Sequence, residues 1–134
     1  VVLGVLATWL LVTVVPKVGS PPAPVVPQVQ PVDESQLSAI AQQGADLFRT
    51  RGCTVCHSVD GSESIAPTMR GAFGTERELE DGRVVFADAD YMWESIVDPD
   101  AKLVKGYLPS MPSYAWFSDE DIEAIVAFIT ELGD

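Results

Sequence analysis

Five consecutive residues, Cys53-Thr54-Val55-Cys56-His57, hold both cysteines and the single histidine of the 134-residue chain. Two thiols three positions apart can add to two neighbouring vinyl groups on one porphyrin edge. A histidine directly after the second is then carried under the metal as an axial ligand. That spacing is the attachment pattern for a covalent c-type haem. Two other chemistries use Cys-x-x-Cys. A redox dithiol stands at the head of a helix in a β-α-β pattern, and no parallel-strand pattern is present. A zinc site needs about four ligands, and one histidine with two cysteines cannot assemble it.

A second axial ligand has to come from methionine, because no other histidine exists. Met92 falls within a predicted helix, where methionine is usually core filler. Met69 follows His57 by only twelve positions, too close to cross to the far face of a porphyrin. Met111 sits in Leu108-Pro109-Ser110-Met111-Pro112, a proline-stiffened loop between two predicted helices. It is the expected ligand, with packing or surface exposure as its ordinary alternative.

The chain divides by composition. Val1 to Val15 is uncharged and apolar with no helical face, and as a helix would span about 22 Å. A bilayer core needs about 30 Å. The chain does not start with Met, so residues 1–15 are read as the outer part of a single transmembrane helix continuing upstream. A signal-peptide core is the competing reading, but no small-x-small cleavage site follows. Residues 16–32 form a linker with six prolines and no acid, an extended tether at about 3 Å per residue. Residues 33–134 are the size of one small domain.

All twenty acids lie at or beyond Asp33, against seven of the eight cations, which gives that domain a net charge of −13. Such a charge argues against nucleic acid as a partner. It suits a redox protein or neighbouring subunits with a positive docking surface. Arg49, Arg51, Arg70, Lys102 and Lys105 flank the Cys53–His57 and Met111 segments, and a less acidic rim around the site is expected from them. Scattered solvated charges are the plainer reading. The two cysteines are committed, so no lipid anchor on cysteine is expected.

Periodicity predicts a helix from about Asp33 or Ser35 to Arg49, with Leu37, Ile40, Gly44, Leu47 and Phe48 on one face. It predicts another from Asp90 to Val97, stopped at Asp98-Pro99. A third runs from Asp119 to Leu132, capped by Ser118. Glu80-Asp81-Gly82-Arg83 marks a small hairpin.

Gly44 and Phe48, the Cys53–His57 run, Ile65-Ala66-Pro67, the Met111 loop and Phe128 together resemble the class I single-haem cytochromes c. The resemblance implies an all-α fold of three to four helices around one covalent haem c. It implies that Gly44 lets the first and last helices cross closely against Phe128. It also implies that the Pro67 carbonyl holds the His57 ring N–H, giving Cys53, Cys56, His57, Pro67 and Met111 as the cofactor-binding set, with His57 and Met111 on the metal. The family usually has glycine where Ala66 stands.

More narrowly, Tyr91 to Tyr114 is similar to the cytochrome domain of haem-copper oxidase subunit II and to the single-haem subunit of alternative complex III. No copper-ligand set precedes the domain here. The expectation is therefore an anchored electron-carrying subunit of alternative complex III, in a respiratory or photosynthetic chain, with an oxidase cytochrome subunit as the alternative. The haem domain would stand on the outer side of a bacterial cytoplasmic membrane. With both axial positions filled by protein and the one histidine on iron, no catalytic residues are expected.

Overall fold

A computed structural model of the chain describes residues 32–133. The expected transmembrane helix over 1–15 and all but the last residue of the expected linker over 16–32 lie outside them. Among the described residues no helix is long and apolar enough to cross a membrane.

Three helices and one hairpin make up the fold: α1 (Ala39–Thr50), β1 (Glu76–Glu78), β2 (Val84–Phe86), α2 (Ala89–Val97) and α3 (Asp119–Glu131). Single 3-10 turns stand at Glu34–Gln36 and Cys53–Val55.

Helix α1 starts later than periodicity suggested. Asp33 caps its own short turn by accepting from the Ser35 amide, and Leu37 is extended. Ser38 then caps α1, its Oγ accepting from the Ala41 amide at 3.3 Å. Glu131, at the end of α3, fixes that start: its carboxylate accepts from the Ser38 amide (2.8 Å) and hydroxyl (2.6 Å). The buried stripe is Ala41, Gly44, Ala45 and Phe48. Ile40, expected inside, is exposed. Small residues replace it because α1 crosses α3 at close range. A Cβ on Gly44 would stand 1.8 Å from the Ala124 carbonyl oxygen and 2.9 Å from Phe128 Cβ. Farther along, Phe48 meets Phe128 edge-on at 5.5 Å between ring centroids.

Helix α3 begins where expected, with Ser118 Oγ accepting from the Asp121 amide and three acids in its first turn, where the helix dipole favours them. It buries Ile122, Ala124, Ile125, Val126, Phe128 and Ile129. Asp88 caps α2, accepting from the Tyr91 amide, and the helix closes at Asp98 before Pro99. Tyr91, Met92 and Ile96 face the core.

The hairpin pairs Glu76 with Phe86, Arg77 with Val85 and Glu78 with Val84. Its turn closes through the Gly82 amide to the Leu79 carbonyl. The open side of β1 is taken by the long loop after α2: the Glu80 amide donates to the Leu103 carbonyl and the Lys105 amide to the Glu78 carbonyl, both at 2.9 Å. That loop carries Met111, so the hairpin fixes one end of it. The Tyr114 amide, donating to the Ile96 carbonyl at the end of α2 (3.0 Å), fixes the other.

Candidate haem site

Helix α1 ends at Thr50, and Gly52 takes a left-handed conformation (φ 85°). That conformation is easy for glycine and costly for L side chains. It reverses the chain into the Cys53–Val55 turn, and the His57 amide closes the turn on the Cys53 carbonyl (2.9 Å). Both cysteines and the histidine thereby reach one wall of a single cleft.

The segment after His57 folds back on itself. The Ala66 amide (3.1 Å) and Ser64 hydroxyl (2.6 Å) both donate to the Cys56 carbonyl, and the Met69 amide (2.8 Å) and Thr68 hydroxyl (3.2 Å) to that of Ser58. This small lattice sets the Pro67 carbonyl oxygen 2.7 Å from His57 Nδ1. With Nδ1–H donating there, Nε2 is the ring nitrogen left for a metal. Serines 58 and 64 gave no signal in the sequence, since Ser58 works through its backbone carbonyl and Ser64 through a hydroxyl that any loop serine carries.

Burial lowers the His57 pKa below its ordinary value, and the Pro67 hydrogen bond opposes that only in part. The ring is therefore neutral at pH 7, the form that binds metal. Burial also raises the Cys53 thiol pKa. Neither shift suggests a nucleophilic thiolate.

The cleft encloses about 1240 Å³, counting space open to solvent, between the Cys53–Pro67 segment, α2, α3 and the loop that follows α2. All three methionines line it. Met69 and Met92 belong to the buried core cluster, whereas Met111 does not. Arg77 and Lys102 bring positive charge to an otherwise apolar lining. Two thiols, one oriented neutral imidazole, a thioether and apolar walls with two cations form a donor set that fits a porphyrin with carboxylate side groups.

The expected rim of free cations is altered by pairing. Arg49 bonds Glu34 and Asp46, Lys102 bonds Glu94, and Lys105 bonds Glu78. Arg51 instead lies over the rings of Trp116 and Phe117.

The family model for cytochrome c matches residues 41–133. Cytochrome c oxidase subunit 2 of Alkalihalophilus pseudofirmus is 34% identical over 100 residues, which are 74% of this chain and 28% of that protein. This chain therefore spans under a third of the length of that relative. Among solved structures, cytochrome cH from Methylobacterium extorquens superposes with a TM-score of 0.49 at 21% identity, covering 68% of this chain and 97% of that one. Members of the matched family carry electrons rather than transform substrates. The chain belongs to the cytochrome c family, as a class I member with one covalently attached haem c.

Proposed function

We propose that this chain is a membrane-anchored carrier of single electrons, with Cys53 and Cys56 as the haem attachment points and His57 and Met111 as the axial ligands. The observation that carries the ligand assignment is the place of Met111. Of the three methionines on the cleft wall, it alone is not absorbed into the core, and its loop is fastened at both ends.

Each residue has a separable task. The thiols of Cys53 and Cys56 hold the cofactor to the polypeptide. Pro67 fixes the tautomer and orientation of His57. Met111 supplies sulfur from a stiff loop, and the apolar walls keep water away. Arg77, on the cleft wall without a carboxylate partner among the described residues, is placed to balance a carboxylate side group. Bound there, haem c supplies a one-electron couple whose potential a thioether ligand raises relative to a second nitrogen.

The test is direct. Mass spectrometry of the purified full chain should show the added porphyrin mass. Met111→Ala should abolish the weak ferric absorption near the red end of the visible spectrum and lower the potential. A chain without the added mass, or a Met111→Ala spectrum identical to the wild type, refutes the assignment.

Within a membrane, the reading favoured by the order of segments is a subunit of alternative complex III, a quinol-oxidising assembly, with the haem domain on the outer face of a bacterial cytoplasmic membrane. The apolar run over 1–15 and the proline-rich tether support anchoring. The second reading, delivery of electrons to a haem-copper oxidase, is favoured by the likeness to an oxidase subunit 2. Purification in mild detergent separates them. Co-purifying haem and iron–sulfur subunits point to the first, and copper with haem a to the second.

A further inference from the structure

Four cations near the cleft are accounted for: Arg49, Lys102 and Lys105 by carboxylates and Arg77 by the Gly71 carbonyl. Arg51 makes no ion pair among the described residues. Its guanidinium sits 5.8 Å from the Trp116 ring centroid and 5.4 Å from that of Phe117. Trp116 is 67% exposed and does not line the cleft, so a bound cofactor would not cover it. It is nevertheless held firmly, packing edge-on against Phe117 at 4.5 Å and tilted against Tyr114 at 6.2 Å. Phe117 and Tyr114 do line the cleft. Val55, 75% exposed, lies four residues after Arg51, in the turn that its amide closes on the Gly52 carbonyl.

We propose that Trp116, Val55 and Arg51 form a docking patch for a redox-partner protein that presents an apolar surface with a carboxylate facing Arg51. The inference rests on the electron-carrier reading. An exposed tryptophan braced by neighbouring rings loses little freedom on contact, and tryptophan and arginine are the residues that most often dominate interface energies. The remainder of the domain is strongly acidic, so a partner carboxylate finds a favourable place at the Arg51 guanidinium, which lies against aromatic rings and makes no ion pair among the described residues. The patch is one aromatic layer from the cofactor cleft. Electrons passing there would travel a short path, and the apolar contact would exclude water from it.

The test uses the full chain with its haem in membranes that hold its native partners, following the haem absorbance after addition of quinol and after admission of oxygen. Hexacyanoferrate(III), a small anion that needs no protein docking surface, serves as the control oxidant. Trp116→Ala is expected to slow one of the two membrane reactions at least tenfold while changing the hexacyanoferrate rate less than twofold. Trp116→Phe should recover most of the loss. Arg51→Glu should slow the same reaction at low salt, with the effect fading at high salt.

Membrane rates within twofold of wild type for both Trp116→Ala and Arg51→Glu overturn the proposal. So does an equal slowing of the hexacyanoferrate reaction, which would place Trp116 within the cofactor site instead. Self-association of the wild type that Trp116→Ala abolishes also overturns it, because a second copy would then own the patch. A wild type whose haem answers hexacyanoferrate but neither quinol nor oxygen refutes the electron-carrier reading itself.

Discussion

Gly44 shows how much one missing methyl group can decide. Its hydrogen lets the Ala124 backbone approach to a distance that any Cβ would violate. The obstruction is backbone, which cannot swing aside as a side-chain tip can. Gly44→Ala should therefore cost at the upper end of the roughly 1–3 kcal/mol typical of overpacking, or more, read as a fall in the denaturant midpoint of the haem-loaded protein. The resemblance to the class I cytochromes c already singled this glycine out as a point of close approach. Its main partner was less visible: the Ala124 backbone has no side-chain signature, and Phe128 stands second. Pro67 was readable for a similar reason. The lattice of Ser58, Ser64 and Thr68 that aims its carbonyl was not, because serines and threonines on a loop look alike whether structural or idle.

Among the elements, the start of α1 was misplaced and the two later helices were placed to within a residue. The difference is physical. Helices α2 and α3 carry their own start signals, Asp88 and Ser118, whose side chains cap the amide three residues on. Helix α1 has the same kind of local cap, Ser38 on the Ala41 amide, but Leu37 drew the predicted stripe past it, and the Glu131 contact that fixes Ser38, 93 residues away in sequence, leaves no local pattern. The buried stripe shifted from Ile40 to Ala41 for the same reason, since the closeness of α3 selects small side chains. Ser38→Ala removes both a cap and one of the Glu131 hydrogen bonds, and should cost about 1–2 kcal/mol in thermal or denaturant unfolding.

Glu131 carries a pH signature. Hydrogen bonds from the Ser38 hydroxyl and then its amide lower the Glu131 pKa. A lowered carboxylate contributes stability at and above the ordinary glutamate value of about 4.3 and loses it as pH falls through the lower, folded-state value. Glu131→Gln should thus be less stable than wild type at pH 7. The gap should narrow steadily below about pH 4.3 in a series of denaturation midpoints.

At the scale of the whole molecule, the helix order was legible from periodicity. The charge arrangement was not. Seven cations against twenty acids from Asp33 onward can be counted, but which cations are neutralised depends on pairs far apart in the chain, such as Lys105 with Glu78. The core is likewise incomplete without its cofactor, for residues of all three helices open onto the cleft. Replacing Cys53 and Cys56 by alanine, so that no haem is attached, should lower the unfolding midpoint sharply and broaden the transition, because binding that favours only the folded state is lost. Far-ultraviolet circular dichroism against temperature, compared with the haem-loaded wild type, reads this out.

The grip of Glu131 on Ser38 fastens the opening of the first helix to the close of the last. A fold latched in this way has its two boundaries side by side. Such a unit can be spliced behind a membrane stalk or onto the tail of a larger polypeptide without remodelling its interior. One carboxylate thus draws the entry and the exit of the haem-bearing body together, the arrangement in which a domain is most readily appended to another polypeptide.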